Sequence, residues 1–210
     1  MSDKKPVIIK SLGLCDYQSC LESMQQFTQQ RDDKTVDEIW IVEHPPVYTQ
    51  GQAGKPEHIL NAKNIPIVQA DRGGQVTYHA PGQVVIYTML NLHRLNLGIK
   101  SLVCILEKSV LEYLSEFDIQ AQTDRNAPGV YINGAKICSL GLRVKHGCTY
   151  HGLAFNVDMD LEPFQRINPC GFSNLVVTQL SDFAENISTE QAAHSICQYI
   201  VKNLGYNDPH

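Results

Sequence analysis

Hydrophobic and polar residues follow two different periods along the chain, and these periods predict strands and helices. Alternation with a period of two, or a short run of β-branched residues, is typical of strands. It predicts strands at residues 7–13, 37–43, 83–92, 128–134, 135–144 and 147–157. Apolar residues at helical spacing predict amphipathic helices at residues 17–30, 101–117 and 188–204. Most of the strands lie in the middle of the chain, and helices interrupt them singly.

Capping and turn residues support several of these boundaries. Asp16 precedes the first helix and Ser101 opens the second, and both residue types accept hydrogen bonds from helix N-terminal amides. Ser188 followed by Gln191 is a capping-box pattern at the start of the third helix. Asn133-Gly134 separates two predicted strands and is a strong hairpin signal. Residues 49–54 are predicted to form a polar loop.

Together these elements predict an α+β fold in a single domain that spans residues 1–210. A chain of 210 residues is within the range of one large domain. No internal repeat, linker or low-complexity stretch divides it. We therefore expect a mixed or largely antiparallel sheet with a few helices packed against it.

Composition and charge narrow the class of protein. The chain is 43% hydrophobic and 19% charged, which is an ordinary globular composition. The net charge is -5 and no basic run occurs, which argues against nucleic acid and anionic membranes as partners. No stretch approaches the roughly 20 apolar residues of a membrane span. Residues 1–6 lack the apolar core of a signal peptide, so we expect a cytoplasmic protein.

The 7 cysteines are expected to be reduced thiols, because their number is odd and their spacing irregular. Cys148 and His151 are near each other in sequence, but at this spacing on a strand they face opposite sides. No set of four ligands for a structural zinc is visible. We therefore expect neither a metal nor a cofactor.

A glycine-rich segment at residues 71–83 carries the first candidate chemistry. Its hydrogen-bonding side chains include Arg72, Gln75, Thr77, Tyr78 and His79. Glycine lets a backbone approach a ligand closely, and a plain turn does not need so many polar side chains. A bulged hairpin with a Gly73-Gly74 turn would also explain the glycines. The segment matches neither a phosphate-binding loop nor a dinucleotide fingerprint.

Lys136 is the second candidate, because it lies in the otherwise apolar run of residues 135–144. A strand lysine commonly packs its stem and keeps its amine in water, and this alternative stays open. A partly desolvated amine can instead serve as an acid or a base.

Cys170 is the third candidate, because Pro169 and Gly171 place it in a turn, where access matters more than packing. Cys104 and Cys197 are expected to pack on apolar helix faces. A thiol and an amine together can run acyl transfer through a thioester.

Two other cysteines compete with Cys170 for the role of nucleophile. Cys138 and Cys148 both lie on predicted strands. Cys138 is the stronger rival, because a strand spacing of two is expected to put it on the same side as Lys136.

Five motifs, in order along most of the chain, resemble the octanoyltransferases of lipoate biosynthesis, a family also called lipoate-protein ligase B. They are residues 72–83, 134–137, 141–144, 150–154 and 168–171. The resemblance implies the fold of the biotin and lipoate protein ligase catalytic domains. By this comparison we expect alanine where the chain has Cys138 and leucine where it has Phe155.

The resemblance also implies an activity and its partners. Such enzymes move an octanoyl group from octanoyl-acyl carrier protein to a lysine amine of a lipoyl domain. The acceptors would be the lipoyl domains of 2-oxoacid dehydrogenase complexes and the glycine cleavage H protein. The thioester would form on Cys170, and Lys136 would activate the thiol. The implied acyl pocket consists of Arg72, Gly73, Gly74, Gln75, Val76, Thr77, Tyr78, His79, Ser139, Leu140, Gly141, Gly152, Leu153 and Ala154.

Several alternatives remain open from the sequence. His79 and His151 are secondary candidates for catalysis. Basic residues that could attract an acidic carrier protein locally are Arg125, Arg143, Lys145 and Arg166. Rival activities are an ATP-dependent lipoate or biotin ligase, a noncatalytic module that binds an acyl carrier, and a cysteine hydrolase.

Overall fold

A seven-stranded mixed sheet runs through the structure, a computed structural model that describes residues 6–168 and 176–207. Its strands are β1 (Val7–Leu14), β2 (Asp37–Glu43), β6 (Gln83–Met89), β7 (Gln122–Thr123), β8 (Gly129–Ile132), β9 (Ala135–Lys145) and β10 (Cys148–Asn156). Their spatial order is β1-β2-β6-β10-β9-β8-β7. Only the β1–β2 pair among these described strands is parallel. The α+β fold class predicted from the sequence is confirmed.

A smaller sheet of three strands lies beside the large one. Its strands are β3 (Val47–Gln50), β4 (Ile67–Gln69) and β5 (Val76–His79), in the order β4-β3-β5. The glycine-rich segment leads into β5 and connects this small sheet to β6 of the large one. The two sheets therefore meet at the segment that the sequence marked for chemistry.

The described helices cover both faces of the large sheet. They are α1 (Tyr17–Gln30), α2 (Leu92–Leu95), α3 (Ile99–Ser115) and α4 (Thr189–Leu204). Short 3-10 turns occur at Pro56–His58, Glu162–Arg166 and Leu180–Asp182. One apolar cluster joins the sheet to α3 and α4, and a second joins its other face to α1.

The central strand β6 shows why both faces are covered. Val84 and Ile86 belong to the cluster with α3 and α4, whereas Val85 and Tyr87 belong to the cluster with α1. All residues of β6 are buried, so the strand is an apolar run instead of an alternating one. A ligand cavity at this strand has to lie between packed layers.

Several local sequence signals correctly predicted where helices and strands begin or end. The carboxylate of Asp16 accepts a hydrogen bond from the Ser19 amide at 2.9 Å and caps α1. Ser188 and Gln191 form the predicted capping box of α4. Asn133 and Gly134 have φ angles of 50° and 83°, as the two central positions of a type I′ hairpin turn require.

The boundaries predicted for α3 were wrong, and so was the setting of one cysteine. The helix begins at Ile99 after Gly98, whose carbonyl accepts the Leu102 amide hydrogen at 3.0 Å, so Ser101 is not its cap. Cys104 is exposed on this helix and does not pack on an apolar face, whereas Cys197 is buried as predicted.

Two predictions failed because pairing with distant strands overrides local composition. The polar loop at residues 49–54 begins inside β3, which pairs with β4 and β5. Gly73 and Gly74 are not a hairpin turn, since β5 pairs with β3 and not with β4, the strand directly before the glycines.

The strand predicted to reach residue 92 ends at Met89.

A buried ion cluster fixes the start of β2. Asp37 has no exposed surface, and its carboxylate accepts hydrogen bonds from Arg31 at 2.5 Å, the Asn91 amide at 2.9 Å and the Tyr206 hydroxyl at 2.6 Å. Arg94 contributes a further contact at 3.3 Å. The cluster ties the ends of α1, α2 and α4 to the large sheet.

Replacing Asp37 should be strongly destabilising. We expect Asp37→Asn to lower the free energy of unfolding by about 3–5 kcal/mol in urea titrations, because it leaves the Arg31 guanidinium buried without a negative partner. Glu57→Gln, in a pair of exposed side chains with Lys55, is the control and should change little. Equal effects of the two substitutions would contradict this account.

Candidate active site

A narrow cavity opens between the two sheets, on the α1 side of the large sheet. It holds about 580 Å³ of space free of atoms, part of it open to solvent. Its walls are Tyr17, Arg72, Gly74, Gln75, Val76, Thr77, His79, Val85, Tyr87, Lys136, Ser139, Leu140, Gly141, His151, Gly152, Leu153 and Ala154.

The glycine-rich segment forms one wall because it is tied to both sheets. The Arg72 guanidinium is buried and donates to the Thr49 carbonyl at 2.6 Å and the Thr49 hydroxyl at 2.8 Å. The Gly73 amide donates to the Leu142 carbonyl at 3.0 Å. Gly74 has a φ of 87°, in the left-handed region that favours glycine. The segment thus bridges β3 and β9 across the cavity.

Lys136 contributes the basic group nearest to the apolar part of the wall. The residue is only 3% exposed, so the amine is not simply reaching for water. Its Nζ lies 3.3 Å from the Pro128 carbonyl and 5.1 Å from the centre of the Tyr131 ring. The Gly129 amide donates to the Glu107 carboxylate at 2.9 Å, which brings a buried acid near the amine.

A bulge in β9 separates Lys136 from Cys138. Val130 of β8 pairs with Cys138 while Tyr131 pairs with Lys136, so Ile137 is the extra residue. Ile137 and Cys138 consequently both pack in the core cluster with α3 and α4. The prediction that Cys138 faces the same side as Lys136 is wrong. Burial raises the pKa of the Cys138 thiol, which disfavours the thiolate needed for nucleophilic attack.

Cys170 lies outside the described residues, but the chain on both sides of that segment is described. Asn168 donates its amide to the His58 carbonyl at 2.8 Å. On the other side, the Lys136 amide donates to the Val176 carbonyl at 2.8 Å, and the Thr178 amide donates to the Lys136 carbonyl at 3.0 Å. The chain at Val176 and Thr178 is therefore hydrogen-bonded to the backbone of Lys136.

Three buried histidines lie at one end of the cavity. His79 and His151 line it, and His44 packs against His79. His44 contacts the Cys15 carbonyl and the Tyr87 hydroxyl, each at 2.6 Å. His79 contacts the Gln83 side-chain carbonyl at 2.7 Å. Cavity residue Tyr17 stacks on His79 with ring centres 5.7 Å apart. These contacts hold the aromatic side chains of the wall in place.

His151 is placed by an unusual backbone conformation. It has a φ of 59° within β10, a region that costs energy for most side chains. This conformation lets both Tyr150 and His151 reach the carboxylate of Asp71, with a distance of 2.9 Å for the His151 Nε2. Because the carboxylate accepts, Nε2 carries the hydrogen in the neutral ring. The buried Nδ1 then has no hydrogen-bond partner among the described residues.

Burial sets the charge state of this region. It lowers the pKa of His44, His79 and His151, although the hydrogen bond to Asp71 opposes the shift at His151. For Asp71, burial is outweighed by hydrogen bonds from His151 and Tyr150, so its pKa is held well below the usual range. At neutral pH the histidines are neutral and Asp71 is ionised.

Most of the pocket residues expected from the sequence come together in this cavity. Those that line it are Arg72, Gly74, Gln75, Val76, Thr77, His79, Ser139, Leu140, Gly141, Gly152, Leu153 and Ala154. Gly73 and Tyr78 do not line it. Tyr78 packs instead in the apolar cluster with Tyr48 and Phe164. Whether the lining residues bind a substrate stays a prediction.

Sequence reasoning missed three residues of the wall. Val85 and Tyr87 are two positions apart and face the same side of β6, so their spacing on a predicted strand was a usable signal. Tyr17 was predicted only as the first residue of a helix, and only the docking of α1 brings it to the cavity.

Solved structures define the class of fold. An archaeal bi-partite lipoate protein ligase from Thermoplasma acidophilum superposes with a TM-score of 0.79 at 13% identity, covering 98% of this chain and 87% of that one. A lipoate-protein ligase A bound with ATP gives 0.77 at 13% identity, with 98% and 88% coverage. A biotin protein ligase from Aquifex aeolicus gives 0.57 at 13% identity, with 96% and 69% coverage. The fold is that of the lipoate and biotin protein ligase catalytic domains.

Sequence relatives define the family within that class. The family model of the lipoyl protein ligase A/B catalytic domain matches residues 16–201. A relative named octanoyltransferase from Dechloromonas aromatica is 53% identical over 199 residues, covering 95% of this chain and 97% of its own. Another of that name, from Photorhabdus laumondii, is 50% identical over 202 residues, with 96% and 95% coverage. The chain belongs to the octanoyltransferase family of acyltransferases, as its sequence motifs predicted.

No helix within residues 6–168 and 176–207 is both long and apolar enough to cross a bilayer. Nor do three side chains of His, Cys, Asp or Glu in these ranges form a group that could hold a metal ion.

The buried neutral histidines predict that the fold is sensitive to mild acid. The unfolded chain takes up protons at histidine near pH 6.5, whereas the lowered pKa values delay this uptake in the folded state. The unfolded state then binds more protons, so the free energy of unfolding should fall as the pH drops from about 7 to about 5. Urea titrations across this range measure the slope.

A matched pair of variants assigns the slope to the buried rings. His79→Gln should flatten it, because one buried titrating group is removed. His146→Gln changes an exposed ring and should leave the slope as in the parent protein. A parent stability that does not change between pH 7 and pH 5 would contradict the assignment.

Proposed function

We propose that this protein transfers an octanoyl group from octanoyl-acyl carrier protein to the lysine amine of a lipoyl domain. The acyl group would be held in between as a thioester on Cys170, with Lys136 as the assisting amine. The acceptors would be lipoyl domains of 2-oxoacid dehydrogenase complexes and the glycine cleavage H protein. The reaction is assigned to the cytoplasm, where thiols remain reduced.

The observation that carries the proposal is the position of Lys136 at an apolar cavity wall. Val85, Leu140, Leu153 and Ala154 supply apolar surface for an acyl chain, which gains about 0.8 kcal/mol for each buried methylene group. The amine of Lys136 lies along the same wall. A pocket for a medium-length alkyl chain with one amine is suited to acyl chemistry.

The chain path supports a contribution from Cys170. Val176 accepts the hydrogen bond of the Lys136 amide, and Cys170 precedes Val176 by six positions. Six residues span at most about 20 Å, and this length is compatible with a thiol of Cys170 that reaches the amine. Cys138, the main rival, is removed from the cavity by the bulge in β9.

The chemistry of a thioester relay fits this pair. The thiolate of Cys170 would attack the carbonyl of the donor thioester, and the carrier thiolate would leave with the proton that the Lys136 ammonium gives up, which makes Lys136 neutral. The two thioesters are close in energy, so this step is nearly balanced. The incoming lysine amine would then attack the enzyme thioester, and Lys136 in its neutral form would accept a proton from it. The product is an amide, which makes the second step downhill without ATP.

An ATP-dependent ligase is the rival that the fold keeps in view, because a ligase bound with ATP shares it. The sequence identities argue against this rival. The ligases are 13% identical to the chain, whereas relatives named octanoyltransferase are 50–53% identical over nearly the whole length. Reactions with octanoate and ATP, compared with octanoyl-acyl carrier protein, separate the two activities.

The proposed docking of an acidic carrier depends on fewer basic residues than the sequence indicated. Arg166 is paired with Glu162, so its charge is largely cancelled. Arg125 and Lys145 are exposed, and Arg143 donates to Gln52 at 2.9 Å on the outer side of the cavity wall. Arg125, Arg143 and Lys145 are therefore the better candidates for attracting the carrier.

The acyl-enzyme is the first testable consequence of the proposal. After incubation with octanoyl-acyl carrier protein, the intact protein should gain one octanoyl group that hydroxylamine removes. Peptide mapping should locate it at Cys170, and Cys170→Ala should abolish both the adduct and the transfer.

Controls distinguish the rival readings of that experiment. Cys138→Ala should keep the adduct, because its buried thiol does not take part. An adduct on Cys138 would leave the reaction class intact but overturn the assigned nucleophile. Release of free octanoate with no amide product would indicate a hydrolase, and carrier binding without any adduct would indicate a noncatalytic module.

The packing around Lys136 gives a second prediction. A Cβ at Gly129 would lie 2.7 Å from the Cys138 carbonyl oxygen, 2.9 Å from Cε and 3.2 Å from Nζ of Lys136, so Gly129→Ala should displace the amine together with the adjoining backbone of β9. We expect transfer to fall by about tenfold or more, since a displacement of about 1 Å can cost up to about 100-fold. Single-turnover acylation rates measure the effect.

Gly134→Ala is the matched control for this substitution. Gly134 also has a positive φ, but a Cβ there meets no atom within 4 Å. Gly134→Ala should lose about 1 kcal/mol of stability from its strained backbone, and Gly129→Ala should lose more, because its Cβ also meets the Cys138 carbonyl oxygen. Only Gly129→Ala should lose acylation, and equal losses would contradict the positioning of Lys136.

A further inference from the structure

Two cysteines lie in contact beside the cavity, where β1 ends and α1 begins. The Sγ of Cys20 is 2.8 Å from the Sγ of Cys15, and both are free thiols. A disulfide has a length of about 2.05 Å. A shift of less than about 1 Å would bring the two sulfur atoms to bonding distance.

The two thiols differ in their access to solvent. Cys15 is partly exposed and Cys20 is buried. A small oxidant would therefore reach Cys15 first, and Cys20 is placed to attack the resulting adduct from behind. No other pair of cysteines in the described ranges is joined by a hydrogen bond. Cys104 is exposed without such a neighbour and serves as an internal comparison.

Tyr17 links this cysteine pair to the cavity. It is the first residue of α1, lies between the two cysteines in sequence, and lines the cavity. Its ring stacks on His79 and meets His44 edge-on at 5.1 Å. A cross-link that moves the start of α1 would move this ring.

A second link runs through the backbone of Cys15. Its carbonyl contacts the Nδ1 of His44 at 2.6 Å, and the Nε2 of His44 contacts the Tyr87 hydroxyl at 2.6 Å. Tyr87 also lines the cavity. Two cavity residues, one from α1 and one from β6, thus depend on the backbone around Cys15.

We propose that Cys15 and Cys20 form a reversible disulfide in the presence of a small-molecule disulfide oxidant, and that this bond reshapes the cavity wall. The Cys15 thiolate attacks one sulfur of the oxidant and releases the first thiolate. The Cys20 thiol, whose pKa is raised by burial and by the neighbouring Cys15, loses its proton to solvent, attacks the Cys15 sulfur and releases the second thiolate. This second step should therefore quicken as the pH rises. Two protein thiols lose two protons and two electrons, and the oxidant is reduced to two small thiols.

The bond is tested by titrating the protein with oxidised glutathione and mapping its thiols. The reaction should lower the intact mass by two hydrogen atoms, join the peptides of Cys15 and Cys20, and reverse with a dithiol reductant. Cys104→Ser should not prevent it. A glutathione adduct that persists on Cys15, or two free thiols while Cys104 reacts, would overturn the proposal.

The effect on the cavity is tested separately, because its activity readout rests on the proposed function. Oxidation should lower kcat/KM for octanoyl transfer by about tenfold, by the same positioning argument, relative to the reduced form of each variant. The Cys15→Ser variant cannot form the disulfide. Oxidation should therefore lower its kcat/KM only to the extent that Cys170 itself is oxidised. Hydrogen exchange at residues 17–20 and at His44 reports the rearrangement without any activity. Unchanged exchange in the oxidised protein would overturn the link to the cavity, even if transfer itself were absent.

Discussion

The bulge at Ile137 is the constraint on which the arrangement of the site depends. In a regular strand, Lys136 and Cys138 would share a face, and Cys138 would lie beside the amine at the cavity. The extra residue instead sends Ile137 and Cys138 into the core with α3 and α4 and leaves Lys136 at the cavity. Bulges next to active sites commonly redirect a single side chain in this way. Here the redirection also removes the rival thiol from the amine.

Burying a lysine amine is expensive unless its charge is compensated. The surroundings of Lys136 offer a carbonyl oxygen, an aromatic face and the nearby Glu107 carboxylate. Burial raises the pKa of Glu107, opposed by the Gly129 amide and the charge of Lys136. The lysine and the acid therefore stabilise each other's charged forms across Gly129. The absence of a side chain at Gly129 is what lets the amine approach this strand.

The sequence predicted the parts of the structure that local chemistry decides. The caps of α1 and α4 and the Asn133-Gly134 turn depend on neighbours a few residues apart, and they were predicted correctly. Strand β3 was missed because its pairing with β4 and β5 is decided at long range. The contribution of Tyr17 to the cavity and the contact between Cys15 and Cys20 depend on how α1 docks.

The motifs predicted much of the site, but not its geometry. Residues of four separate motifs line one cavity, because β5, β9 and β10 meet where the glycine-rich segment bridges the sheets. Tyr78 shows the limit of transferring a motif as a block, since its ring packs against Tyr48 and Phe164 and does not line the cavity. The bulge at Ile137 could not be read from the sequence, because a one-residue mismatch between β8 and β9 leaves the hydrophobic pattern of each strand unchanged.

The fold alone does not determine which reaction this cavity performs. Proteins at 13% identity, including a ligase bound with ATP, share the two sheets, so the scaffold is compatible with more than one chemistry. A buried amine and a thiol can relay an acyl group that already arrives activated as a thioester. A free carboxylic acid would first need a phosphate-binding element, and the glycine-rich segment here is tied down by Arg72 and Gly73 instead of forming a phosphate loop. The Gly73 amide is thus engaged with the Leu142 carbonyl of β9, and the Arg72 guanidinium with Thr49 of β3, so neither is free to bind a phosphate group.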